Sequence, residues 1–158
     1  MKRLKILLLG ILLLSPFWSV SQDTENKSQG VKQFTLNNGL TVVLDENHAQ
    51  PEIFGLVIVK AGAKNDPSDA TGMAHYQEHM LFKGTTGRSA YDIAREIDAI
   101  GGSINAFTGR EYTCLYARVL RKDLSLALDI ISDMYRDSLF DAEEIEKERY
   151  VIGQEIKM

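Results

Sequence analysis

The order of apolar and polar positions divides the chain into strands and helices. Two β-rich runs, Val31 to Leu36 and Leu40 to Leu44, flank Asn37-Asn38-Gly39 and predict a hairpin. A third run, Ile53 to Ala61, is almost continuously apolar, the pattern of a buried central strand. Gly62 to Asp69 carries Gly, Asn, Asp and Pro and predicts a loop. Thr71 stands where it would cap a helix running to about Lys83 and ending near Gly84. Ser89 caps the next helix, in which Tyr91, Ile93, Ala94, Ile97 and Ile100 recur at helical spacing before Gly101-Gly102. Ser103 to Thr108 and Glu111 to Leu120 predict two strands about a turn at Gly109-Arg110. Two helices follow, over about 122–138 and 141–157. The first shows Leu124, Leu126, Ala127, Leu128, Ile130, Ile131 and Met134; the second opens on Asp141 as cap with an acidic first turn.

Adjacent hairpins mixed with helices predict an α+β fold, a largely antiparallel mixed sheet with helices packed on it. The body of the chain, 31–158, is expected to be one domain. The pattern is still helical at Met158, with no Gly, Pro or basic cap, so a fragment of a longer protein is expected.

The first residues follow a different rule. Lys2, Arg3 and Lys5 precede the apolar run Ile6 to Leu14, and small residues follow at Ser19-Val20-Ser21. That is the order of a secretory signal peptide over 1–21, and export to the periplasm or beyond is expected. The apolar run is short for a membrane span of about 20 residues, although a retained N-terminal anchor is the rival reading. Residues 22–30 are polar and predict a flexible linker.

Composition is ordinary for a globular protein, with 44% apolar and 25% charged residues. Without residues 1–21 the chain has 15 basic and 22 acidic side chains, a charge of −7, which excludes a nucleic-acid footprint. Cys114 is the single cysteine, so no internal disulfide forms, and its strand setting predicts a buried, inert thiol.

The candidate chemistry lies in His75-Tyr76-Gln77-Glu78-His79. On a helix the two histidines fall one turn apart on one face, with Glu78 beside them. Two imidazoles at that spacing can hold one zinc ion, and the carboxylate can take a proton from water on the metal. Polar groups set among Met73, Met80, Leu81 and Phe82 are costly to bury unless paired or metal-bound. His48, in a polar run, is read as a surface residue. A catalytic zinc typically takes three protein ligands. In the last helix Glu144, Glu148 and Glu155 fall in a narrow stripe, and Glu155, beside Val151, Ile152 and Ile156, is the best candidate to turn inward. The competing reading is a solvated acidic helix with Lys147 and Arg149 interspersed.

The segment Gly72-Met-Ala-His75-Tyr-Gln-Glu78-His79-Met-Leu-Phe-Lys-Gly84-Thr85 resembles the active-site helix of the pitrilysin and insulin-degrading family of zinc peptidases, the inverzincins. Phe34-Thr-Leu-Asn-Asn-Gly39-Leu-Thr-Val, Ile100-Gly-Gly-Ser-Ile-Asn105-Ala-Phe-Thr108 and Glu148-Arg-Tyr-Val-Ile-Gly-Gln-Glu155-Ile resemble its other characteristic stretches, in the family's order. The resemblance implies a zinc metalloendopeptidase in which His75, His79 and Glu155 ligate one zinc and Glu78 is the general base. It implies that Glu148 supports the ligands, as hydrogen-bonded carboxylates do for metal-bound histidines. It further implies that Asn105, Ala106 and Phe107 lie on an edge strand to which a peptide substrate is added. Family members enclose their substrate with a second, related half or a partner subunit. A metal-binding but non-catalytic partner subunit, or an inactive fragment, is the alternative.

Overall fold

A computed structural model of the chain describes residues 30–155. The signal peptide expected over 1–21, the linker up to residue 29 and the last turn expected beyond Glu155 lie outside the described residues. Among the described residues no helix is long and apolar enough to cross a membrane.

Two compact units divide at Pro51 and Glu52. In the first, β1 (Val31–Thr35) and β2 (Thr41–Asp45) form the expected antiparallel hairpin, pairing Val31 with Asp45 and Thr35 with Thr41. Gly39 takes φ +85 in the connecting turn, a conformation that costs glycine no Cβ clash. Asn38 accepts a hydrogen bond from the Leu40 N–H through its side chain.

The second unit carries β3 (Glu52–Val59), α1 (Met73–Met80), α2 (Ala90–Ala99), β4 (Ser103–Thr108), β5 (Thr113–Leu120), α3 (Leu124–Arg136) and α4 (Ala142–Glu155). Its sheet has the order β3-β5-β4, and every pairing is antiparallel. The fold is α+β, as the sequence predicts, with no parallel pair among the described strands.

The strand at the centre of the sheet is β5, which corrects the expectation for 53–61. Among the described strands β3 lies at an edge, and Phe54, Leu56 and Ile58 on one of its faces are exposed while alternate residues are half-buried. A run apolar on both faces does not distinguish a centre strand from an edge strand with a greasy outer face.

The other face of the sheet holds the core. Leu115, Ala117 and Val119 of β5 and Ala106 of β4 pack with Ile93 and Ile97 of α2 and the buried face of α3. α2 is bounded by local chemistry on both sides. The Ser89 hydroxyl accepts from the Asp92 N–H, and the Asp92 carboxylate accepts from the Ser89 N–H, a reciprocal capping box. At the other end Gly101 takes φ +65, and Gly102 N–H donates to Ile97 carbonyl oxygen at 3.0 Å, a Schellman closure.

Candidate metal centre

α1 starts without the cap expected at Thr71. Gly72 occupies the N-cap position with φ +92, and glycine offers no side chain to bond the free N–H groups. Asp66, from the preceding loop, does so instead: its Oδ2 accepts from Gly72 N–H at 2.8 Å and its Oδ1 from Ala74 N–H at 2.9 Å. A carboxylate at this end also complements the positive pole of the helix. The helix stops at Met80, and the chain turns through Leu81 to Gly84, where φ is +113. A side chain at Gly84 would also press on the Arg88 carbonyl, with its Cβ 3.3 Å away.

α4 lies against α1. The Tyr76 hydroxyl donates to the Ile145 carbonyl oxygen and ties the two helices together. The Asp141 carboxylate caps α4 by accepting from Glu143 and Glu144 N–H. Glu148 and Ile152 form the buried face of α4, and Glu155 follows at helical spacing. Glu144, on the same stripe, pairs with Lys147 of its own helix.

This packing brings three ligand atoms together. His75 Nε2 and His79 Nε2 are 3.2 Å apart, and Glu155 Oε2 lies 3.5 Å from the first and 3.6 Å from the second. A tetrahedral ion with bonds of about 2.0–2.2 Å spaces its ligand atoms about 3.3–3.6 Å apart, so the triangle has the dimensions of a zinc site. Among the described residues these three form the only such group of His, Cys, Asp and Glu.

Glu148 determines which nitrogen of His79 faces that point. It is buried, and its Oε2 lies 2.8 Å from His79 Nδ1, while its Oε1 lies 2.5 Å from Lys83 Nζ. Burial by itself pushes the Glu148 carboxyl up. The hydrogen bonds and charges of Lys83 and His79 outweigh burial and hold it below the usual carboxylate range. An ionised carboxylate only accepts, so Nδ1 carries a proton and Nε2 is the nitrogen turned toward the other two ligand atoms. Two imidazole nitrogens and a carboxylate oxygen converging on one point need a proton or a cation among them.

Glu78 supplies a second sign that the site is built for something further. Its Oε2 is buried without a hydrogen-bond partner, an unusual state for a carboxylate oxygen. Glu78 lines a cleft of about 220 Å³ together with His79, Phe82, Lys83, Asn105 and Glu148. The donor set and the orphaned oxygen both fit a metal centre.

The residues expected on the substrate strand separate. β4 is an edge strand whose outer side is unpaired among the described strands. Asn105 reaches the cleft and Phe107 is exposed, its ring 5.8 Å from that of Tyr112. The Ala106 side chain is buried in the core, because alternation along β4 turns it toward the helices. Cys114 is buried, as expected, and burial pushes its thiol up.

Sequence reasoning missed Lys83, Asp66 and Tyr76. Lys83 lies four residues after His79 and so carried a spacing signal, but its partner is on α4, 65 positions on.

The chain is similar to known zinc proteases. The model of the insulinase family, peptidase family M16, matches residues 41–158. An uncharacterized zinc protease of Bacillus subtilis is 42% identical over 128 residues, covering 81% of this chain and 31% of the relative. One from Streptomyces coelicolor is 45% identical over 129 residues, covering 81% of this chain and 28% of the relative. The crystal structure of a protease from Helicobacter pylori superposes with a TM-score of 0.75 at 27% identity, over 79% of this chain and 30% of that one. The chain thus spans about three-tenths of the length of these relatives.

Proposed function

This chain belongs to the insulinase family, peptidase family M16, and from that premise we propose that it is the metal-binding part of a zinc metalloendopeptidase. The observation that carries the reading is the convergence of His75 Nε2, His79 Nε2 and Glu155 Oε2 beside the unpartnered Glu78 Oε2. Zinc held by those three residues would polarise the scissile carbonyl and bring the pKa of water to about 7.

The chain's own groups do the rest. Glu78 takes the proton of the attacking water and returns it to the leaving amine. Glu148 keeps the His79 proton on Nδ1 and the ring aimed at the metal point. The outer edge of β4 offers backbone donors and acceptors to an extended peptide, with the side chains of Asn105 and Phe107 on one face of the added strand. The reading includes a second peptidase half or partner subunit that encloses the peptide, and export directed by residues 1–21. Glu78 argues against a non-catalytic partner subunit, which would have no use for the base.

The test is Glu78→Gln, assayed with a quenched peptide alongside zinc content, in this chain and in its full reading frame. Turnover should fall about 10²–10⁴-fold with zinc retained. A metal-loaded Gln variant that keeps its turnover would contradict the assignment.

A further inference from the structure

Lys83 is the one cation that reaches into the metal centre among the described residues, and neither the His-x-x-Glu-His spacing nor the ligand triangle requires it. Its backbone is fixed. Lys83 N–H donates to the Met80 carbonyl, and the next residue, Gly84, accepts from Leu139 N–H at 3.1 Å. From that anchored turn the side chain runs to Glu148, with 29% of its surface exposed against 7% for Glu148.

The Glu148 carboxylate is therefore gripped from both ends by groups of one segment. His79 Nδ1 holds Oε2 and Lys83 Nζ holds Oε1, while the carboxylate itself belongs to α4. A glutamate with a single partner turns about its last side-chain bond, where the torsional wells are broad. Two partners on opposite oxygens fix the plane of the group and the direction of the Oε2 lone pairs. The Lys83 charge also compensates a carboxylate that is buried on α4.

We propose that Lys83 is a positioning residue of the metal centre: by holding Glu148 Oε1 it aligns Oε2 on His79 Nδ1 and slows the loss of zinc. This inference rests on the metal reading above. It assigns Lys83 no contact with substrate, although the residue borders the cleft.

The experiment follows zinc release from the loaded full chain to a chromogenic chelator in the absence of any peptide. Lys83→Met keeps the length of the side chain and removes its charge. It should weaken zinc binding about 10–100-fold, the range for groups behind a metal-bound histidine. Lys83→Arg should restore most of the affinity, and in a Glu148→Gln background Lys83→Met should add no further loss. Parental release kinetics in Lys83→Met, or full additivity with Glu148→Gln, would overturn the inference. So would a loss that tracks the melting temperature of the metal-free protein and is not rescued by arginine. If the parent chain binds no zinc, the metal reading falls first; a zinc-binding parent with an indifferent Lys83→Met variant removes this inference alone.

Discussion

Helices α3 and α4 follow one another in the chain and spend their inner faces in opposite ways. α3 buries Ala127, Ile130, Ile131 and Met134 against the sheet, an apolar face throughout. Each larger side chain of that kind contributes about 1.5–3 kcal/mol. α4 buries Glu148 and Ile152, and it directs two carboxylates, Glu148 and Glu155, at the histidines of α1. Burying a charge costs more than burying a methyl group saves, so the α1–α4 contact is a poor way to stabilise a fold. The difference separates a scaffold from a candidate site: α3 packs on the sheet, and α4 brings two carboxylates to the histidines of α1.

Cutting into the scaffold gives the largest effect on stability. Met134→Ala should cost about 2–5 kcal/mol in denaturant unfolding, by the same amount with and without zinc. A cost that changes with zinc would couple the two regions and break the distinction. Zinc at a hundredfold excess over its Kd should stabilise the protein by about 2.7 kcal/mol, a gain seen as a rise in melting temperature. The same rise in Glu155→Ala would mean that zinc acts elsewhere.

Two helix caps sharpen the comparison at smaller scale. Asp66→Ala removes the carboxylate at the start of α1 and should cost about 1 kcal/mol together with a measurable loss of zinc affinity, because His75 sits in the first turn. Ser89→Ala removes a similar cap from α2, also at about 1 kcal/mol, and should leave zinc affinity unchanged. Calorimetric zinc titration of both variants reads the contrast, and equal effects on zinc would erase it.

What the sequence discloses follows the same line between local and distant causes. The ends of α2, the extent of β4 and the cap of α4 rest on neighbours within a few positions, and Ser89, Gly101-Gly102 and Asp141 announced them. The pairing of His75 with His79 was equally legible, because helical spacing alone puts them together. Contacts across the fold were not. Thr71 stood in the expected capping position, yet Asp66 reaches α1 from the far side of a turn. The run 53–61 has no polar face to mark it as an edge strand, and the partner of Lys83 is set by how α4 docks. For Glu155, periodicity on α4 left inward and solvated readings open, and the family resemblance pointed inward. The helix packing places its Oε2 within 3.6 Å of both imidazoles.

The central claim is that α4 completes the metal centre with Glu155. Zinc titration of the chain and of Glu155→Ala, in a buffer free of competing chelators, tests it directly. One zinc should bind per chain, and the variant should lose more than the roughly 10–100-fold expected for a supporting group such as Glu148. Equal zinc affinity in the two proteins would contradict the account.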